Sequence, residues 1–232
     1  RFELVAFSFG PETGDPMRQR LSSAFDRFVD VRLRTDREVA LLSREMGIDV
    51  AIDLKGYTED SRPGIFACRT APVQVSYLGF PGTMGVNFMD YIIADKTLIP
   101  TGSQSGYTEK IVYLPNSYQV NDAKRVISSQ VFTREELGLP ASGFVFACFN
   151  NTYKITPAVF AAWMRILMRV GDSVLWLFGT NSDAVDNLRR EAAARGVDPC
   201  RLVFAKRLPL PEHLARIRMA DLFLDTLPYN AH

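Results

Sequence analysis

Lys154 stands in the polar loop Phe149-Asn150-Asn151-Thr152-Tyr153-Lys154-Ile155, between an apolar strand and a well-marked helix, and a single ammonium at such a junction suits a phosphate. The run Gly143 to Phe149 is almost unbroken apolar sequence, as expected for a strand buried on both faces of a parallel sheet. Thr156 then reads as the N-cap and Pro157 as the first helical residue, with Val159, Trp163, Ile166, Leu167 and Val170 at helical spacing on one face. A helix N-terminus presents unpaired backbone N–H groups and a partial positive charge. With Lys154 beside it, the junction can stabilise the charge of a departing diphosphate. The competing reading of a loop lysine is a solvated surface charge.

Other residues extend this chemistry. His213 falls in the first turn of a helix after Pro211 and Glu212, where its ring can stack on a base or simply pack. Arg216 lies one turn on and can face the same ligand or solvent. His232 closes the loop Tyr229-Asn230-Ala231-His232 after a strand ending at Asp225-Thr226, a ligand-side position by the rule that open α/β sheets bind at the carboxyl ends of their strands. The loop Gly79-Phe80-Pro81-Gly82-Thr83-Met84-Gly85 follows another strand, and its glycines let backbone approach a sugar closely. This combination suits transfer from an activated nucleotide. Asp49 and Asp53 alternate on one strand face and read as capping or solvated carboxylates rather than catalysts, while Trp163 and Trp176 read as core. No GxGxxG, Walker A, GxSxG, HExxH or CxxC pattern occurs, which argues against dinucleotide oxidoreductases, P-loop enzymes, α/β hydrolases and zinc enzymes.

The elements that must position these residues follow a βα rhythm. Phe2 to Phe9 reads as a strand, and Asp15-Pro16 opens a helix with Leu21, Ala24, Phe25 and Phe28 on one face. Thr35 and Glu38 form a capping-box pattern before a helix closed by Gly47. Strands are expected over 48–54, 73–78, 90–95 and 110–114, with a short helix over 63–69. After a polar crossing, Thr133 and Glu136 repeat the capping-box pattern. Beyond the strand and helix around Lys154 come strands over 174–178, 202–205 and 221–225, a helix capped by Ser182, and a helix over 211–219. The pattern predicts two doubly wound α/β domains with ligands at the carboxyl ends of their strands: residues 1–122, a crossing over 123–132, and residues 133–232.

Charge and composition narrow the class. The chain has 27 basic and 26 acidic residues, scattered rather than blocked, so nothing suggests nucleic acid or a membrane surface as partner. Three distant cysteines in no metal-ligand spacing fit a reducing, cytoplasmic setting and make zinc an unexpected guest. The start reads as a strand and not a signal peptide, and without an initiating Met the chain is expected to be a piece of a longer one.

The sequence resembles the catalytic region of the O-linked N-acetylglucosamine transferases over essentially its whole length, a bacterial homologue fitting best. The residues that carry the resemblance are Leu54-Lys55-Gly56-Tyr57-Thr58, Arg69-Thr70-Ala71-Pro72-Val73-Gln74 running into Leu78-Gly79-Phe80-Pro81-Gly82-Thr83, and Met89-Asp90-Tyr91-Ile92. Further on they are Phe149-Asn150 with Tyr153-Lys154-Ile155, Val174-Leu175-Trp176-Leu177, and Ala220-Asp221 with Leu224-Asp225-Thr226. Their order and spacing make the signal specific.

The resemblance implies a GT-B fold of two Rossmann-like domains facing a cleft, both incomplete here, and inverting transfer of N-acetylglucosamine from UDP to Ser or Thr hydroxyls of proteins, with no metal or other cofactor. It implies that Lys154 contacts the diphosphate, that His213 and Arg216 lie near the uridine, and that His232 begins the turn that holds the diphosphate. By the same resemblance Leu78, Gly79, Pro81, Gly82 and Thr83 form the loop beside the sugar, with Tyr153 and Tyr229 near sugar and acceptor. Asn151, counted among the donor-binding positions, stands where better-known members have Gln, and Leu210 stands where they have Lys. Motifs expected before Arg1 and after His232, and the tetratricopeptide repeats that present acceptor proteins, lie outside this chain, so the segment by itself is expected to be inactive. Two rivals are the same fold using GDP-fucose and a nonenzymatic nucleotide-sugar-binding scaffold. The general base is not identifiable from these residues.

Overall fold

The computed structural model describes residues 2–179 and 181–231 and divides into two compact units, residues 1–120 and 121–232. In the first unit, β1 (Val5–Ser8), α1 (Pro16–Ser22) and β2 (Arg27–Asp30) make a parallel pair in the register Val5 with Arg27 through Ser8 with Asp30. The expected α1 face over Leu21 to Phe28 is therefore corrected: the helix ends at Ser22 and Phe28 belongs to β2. Asp15 caps α1 by accepting from the Arg18 amide at 2.9 Å, with Pro16 in the first turn.

The second βα stretch builds a four-stranded parallel sheet ordered β3-β4-β5-β6 from β3 (Val50–Asp53), β4 (Val73–Tyr77), β5 (Tyr91–Ala94) and β6 (Lys110–Tyr113). Before it, α2 (Asp36–Glu45) starts at the expected capping box, in which Thr35 and Glu38 satisfy each other's backbone amides. The short α3 (Gly64–Ala67) follows β3, and Ile65 and Phe66 from it meet Val31, Val39, Met84 and Met89 in one core. Gln74 is fully buried in β4, and every polar atom of its amide is used: it accepts from the Thr70 amide at 2.8 Å and donates to the carbonyls of Phe66 and Phe88 at 3.0 and 2.6 Å. That staple fixes the chain before β4 and the loop after it. Asp53, buried at the end of β3, accepts from the amides of Lys55 and Gly56 and shapes the turn it precedes, so, contrary to expectation, it neither caps a neighbouring helix nor faces solvent.

The second unit holds a parallel sheet ordered β10-β7-β8-β9, from β7 (Phe144–Cys148), β8 (Ser173–Phe178), β9 (Leu202–Ala205) and β10 (Leu222–Phe223). The connections are α4 (Pro157–Arg169), α5 (Ser182–Ala194) and α6 (Leu210–Arg216), the last continuing as a 3-10 turn to Met219. Thr156 caps α4 by accepting from the Val159 amide. The helix buries Phe160, Trp163, Met164 and Leu167, while Val170 stays partly exposed; the seam is rotated from the expected one because α4 is apolar over most of its circumference. Arg201 closes the other end of α4, its guanidinium donating to the carbonyls of Leu167, Val170 and Ser173. Asn181, not Ser182, caps α5 through the Ala184 amide, and Thr133 with Glu136 forms the expected reciprocal box ahead of β7. Trp163 and Trp176 are both core, as expected.

Candidate functional site

In the second unit the chain runs outward from β7 through β8 to β9 and then returns to lay β10 on the other side of β7. The strand order therefore reverses between β7 and β10, and in open parallel sheets ligands bind in the crevice outside that reversal. Both loops that leave this point are tied together by polar side chains. Asn150, just after β7, donates through its amide nitrogen to Asp225 Oδ1 at 3.0 Å and to Thr226 Oγ1 at 2.7 Å. Asp225 also accepts from the backbone amides of Thr226 and Ala231, both at 2.8 Å, and from Asn230 Nδ2 at 3.1 Å. Burial works against its charge, but these hydrogen bonds outweigh burial and hold its carboxyl below the ordinary carboxylate range.

Lys154 completes the arrangement. Its Nζ donates to the Asn230 carbonyl oxygen at 2.9 Å, so the ammonium is fixed across the reversal point, just ahead of the α4 N-terminus. In the first turn of α4 Pro157 carries no N–H and the amides of Val159 and Phe160 are taken by the Thr156 hydroxyl and carbonyl, so the positive charge offered to a phosphate oxygen here is the Lys154 ammonium with the positive end of the helix dipole. Thr226, fully buried, donates to the Tyr229 carbonyl at 2.6 Å and fixes the turn on which Tyr229 stands, with its ring mostly exposed. Tyr153 is likewise open to solvent, at 77% exposure, and the Asn151 side chain caps nothing.

Next to this point a pocket of about 310 Å³ is lined by Phe149, Phe178, Arg207, Leu208, Leu210, His213 and Arg216. Its walls are the carboxyl ends of β7 and β8, the loop after β9 and the helix α6. His213 meets the Phe149 ring edge-on, centroids 5.1 Å apart. Arg216, expected by default at the helix surface, is only 2% exposed: its Nη1 donates to the Lys206 carbonyl at 2.6 Å, and Nε and Nη2 lie 3.1 and 2.8 Å from His213 Nδ1. The guanidinium also stacks against the rings of Phe149 and Trp176, at 5.3 and 5.8 Å from their centroids. Burial first, and the Arg216 charge second, push the His213 ring below its ordinary pKa, so it stays neutral at pH 7.

In the first unit, Leu78 to Thr83 follows β4. Leu78 takes a left-handed backbone, φ 71°. A Cβ on Gly79 would run into the Leu54 carbonyl oxygen, and one on Gly56 into the Phe80 side chain, so these glycines are required by the packing of the post-β4 loop on the post-β3 loop. Beneath it the buried Glu109 accepts from Thr83 Oγ1 and from the Met84 amide, both at 2.6 Å, and Tyr57 donates to the Met84 carbonyl at 2.9 Å. Pro81 and Gly82 are half-buried in this fixed loop.

Of the residues expected from sequence, Asn151, Tyr153, Lys154, His213, Arg216 and Tyr229 all lie on the ligand side of the second unit's sheet, and Leu78, Gly79, Pro81, Gly82 and Thr83 on the same side of the first unit's sheet. His232 lies outside the described residues. Sequence reasoning did not assign roles to Asn150, Asp225, Thr226, Asn230 and Glu109. Asn150 and Asp225 stand just past apolar strands, but the bonds that tie Asn150 to Asp225 and Thr226, Lys154 to Asn230, and Glu109 to Met84 each join residues 25 or more positions apart.

A family model described as glycosyl transferase family 41 matches residues 1–130 and 125–232. A probable UDP-N-acetylglucosamine–peptide N-acetylglucosaminyltransferase of Arabidopsis thaliana is 37% identical over 235 residues, which cover 99% of this chain and 24% of the relative. A UDP-N-acetylglucosamine–peptide N-acetylglucosaminyltransferase of Caenorhabditis elegans is 25% identical over 344 residues, with 100% of this chain and 30% of the relative covered. Among solved structures, an O-GlcNAc transferase mutant of Thermobaculum terrenum superposes with a TM-score of 0.88 at 34% identity, over 99% of this chain and 43% of the other. The chain thus spans less than a third of the length of these curated relatives. The match to that structure agrees with the expected GT-B class of Rossmann-like α/β domains. With a family model matching from end to end and the parallel α/β architecture of a solved relative, the chain belongs to glycosyl transferase family 41.

Proposed function

We propose that this chain forms the donor-binding part of an enzyme that transfers N-acetylglucosamine from UDP to Ser or Thr hydroxyls of proteins. The observation that carries the proposal is Lys154, held by the Asn230 carbonyl across the strand-order reversal and just ahead of the α4 N-terminus. In the reaction, the acceptor oxygen attacks the anomeric carbon from the face opposite UDP. The bond from that carbon to the diphosphate oxygen breaks, and UDP departs with the electron pair, so the configuration inverts. The hydroxyl proton passes to a base that these residues do not identify. Lys154 and the positive end of the α4 dipole neutralise the charge that grows on the leaving diphosphate, and the proposal assigns that role to no metal.

The pocket bounded by Phe149, His213 and Arg216 takes the uracil end of the donor, and the loop Leu78 to Thr83, with Tyr153 and Tyr229, the sugar and acceptor side. Asn151 and His232 complete the donor contacts. The names of the relatives support a UDP-N-acetylglucosamine donor and peptide acceptors. Their greater length leaves room for the tetratricopeptide repeats proposed to present acceptor proteins. Cys68, Cys148 and Cys200 are free thiols, which fits work in a reducing compartment such as the cytoplasm. No helix among the described residues is long and apolar enough to cross a membrane. Incubating the full-length protein with UDP-N-acetylglucosamine labelled in the sugar, and a Ser/Thr-rich peptide, tests the proposal: label should enter the peptide and be lost with Lys154→Met. Label delivered instead from GDP-fucose, or from neither donor, would refute it.

A further inference from the structure

We propose that Glu109 is a positioning residue for the sugar end of the donor: it anchors the far limb of the loop after β4, so that the main chain of Leu78 to Gly82, and not the Thr83 hydroxyl, meets the ligand. Glu109 directly precedes β6 and is 4% exposed. Its Oε2 accepts from Thr83 Oγ1 at 2.6 Å and from Thr108 Oγ1 at 3.2 Å, and its Oε1 accepts from the Met84 amide at 2.6 Å. A hydroxyl has one proton to give and two lone pairs to offer. The Thr83 proton goes to Glu109, and its lone pairs take the amides of Gly85 and Thr108 at 3.0 and 3.3 Å. Nothing of that hydroxyl is left for a sugar, so the part of Thr83 within the loop is to anchor it.

Two tyrosines strengthen the anchor from the carbonyl side. Tyr57 donates to the Met84 carbonyl at 2.9 Å, and Tyr107 to the Pro81 carbonyl at 3.4 Å. The loop is therefore fixed where it leaves β4 and again at Thr83 and Met84, and Leu78 to Gly82 spans the gap. Close packing stiffens the span, with Gly79 against the Leu54 backbone and Phe80 against Gly56. What the span offers a ligand is backbone: Leu78 in its left-handed conformation, and the N–H groups of Phe80 and Gly82, which meet no acceptor among the described residues. Main-chain donors held in place can fix the orientation of a small polar ligand without help from a side chain. This inference rests on the reading of the post-β4 loop as the sugar side of a donor site.

The test is steady-state kinetics of the full-length protein with UDP-N-acetylglucosamine and a Ser/Thr-rich peptide, beside calorimetry of UDP, in Glu109→Ala, Glu109→Gln and the double variant Glu109→Ala with Thr83→Val. In Glu109→Ala the KM for UDP-N-acetylglucosamine should rise about tenfold, the size of one lost buried hydrogen bond. UDP affinity should stay at the wild-type value, because the contacts proposed for UDP lie in the second unit. If Glu109→Ala does not fold, Glu109→Gln, which keeps the shape and one accepting oxygen, should give a smaller rise in KM. The double variant should be no worse than Glu109→Ala, since the Thr83 hydroxyl acts only through Glu109. A further loss in the double variant would mean that Thr83 touches the sugar itself, and it would overturn the role. An unchanged KM with only kcat lowered, the mark of a smaller folded fraction, would overturn it too, as would UDP affinity falling in step with KM. A wild type that binds UDP but transfers nothing from UDP-N-acetylglucosamine would remove the reading of this loop as the sugar side, and the role with it.

Discussion

Lys154 Nζ donates to the Asn230 carbonyl oxygen at 2.9 Å, joining the loop after β7 to the loop after β10 across 76 residues of sequence. That one bond places a cation at the strand-order reversal before any ligand arrives. It also depends on the shape of the loop 226–231, which Asp225 enforces through Thr226, Asn230 and Ala231.

Asp225→Asn is expected to loosen this loop. The new amide nitrogen would face donors where a carboxylate oxygen accepted, so at neutral pH the variant should lose about 1 kcal/mol of stability in urea melts, with weaker UDP binding. The acid limb follows from the depressed pKa of Asp225. Below its ordinary value of 3.8 the unfolded chain binds a proton that the folded loop resists. The contribution is therefore complete above pH 3.8 and disappears as pH falls through the lower folded value. Acid titration followed by circular dichroism should show a shallower loss of stability in Asp225→Asn than in the wild type.

Glu109 supports the loop proposed to face the sugar, and it does so from a buried position with two 2.6 Å hydrogen bonds. Glu109→Ala would leave the Met84 amide without its acceptor, at a cost of about 1–3 kcal/mol. Amide hydrogen exchange should rise over residues 82–85 and stay unchanged around Lys154. Equal exchange in both places would mean that the carboxylate does not hold this loop.

Gly79→Ala tests why the post-β4 loop is rich in glycine. Its methyl group would collide with the Leu54 backbone, which cannot swing aside as a flexible side chain can. We expect a loss of about 1–3 kcal/mol from overpacking, read as a lower midpoint in thermal melts. Full wild-type stability would return the glycine to the role first assigned to it, close approach of a ligand.

Leu167→Ala probes the second unit's core, where Leu167 is 1% exposed among Phe160, Trp163, Leu175 and Leu202. Removing its branched end should cost about 2–5 kcal/mol in urea melts. The affinity for UDP should persist in whatever fraction remains folded.

How much of this was legible in the sequence varied with the range of the interaction. Capping boxes at Thr35 and Thr133, the Thr156-Pro157 start of α4 and the apolar strand before Lys154 are written in adjacent residues, and the structure holds each of them. The four-residue strand β2 was hidden because Leu21, Ala24, Phe25 and Phe28 mimic helical spacing across the true end of α1. The buried state of Arg216 was hidden for a different reason. Its partners Lys206, Phe149 and Trp176 come from other elements, and nothing near Arg216 in sequence announces them. The same holds for Asp225, whose bond to Asn150 spans 75 residues. Glycine in the Gly79 to Gly85 loop was visible, but its reason was not, since that depends on how closely Leu54 passes.

The most direct test of the central claim is calorimetry of UDP binding to the full-length protein, wild type against Lys154→Ala, with GDP as the control. The account predicts that UDP binds, that GDP gives no comparable heat, and that Lys154→Ala weakens UDP at least tenfold, in keeping with loss of a charge-assisted contact to the diphosphate. Unchanged UDP affinity in Lys154→Ala, or no UDP binding by the wild type, would contradict it.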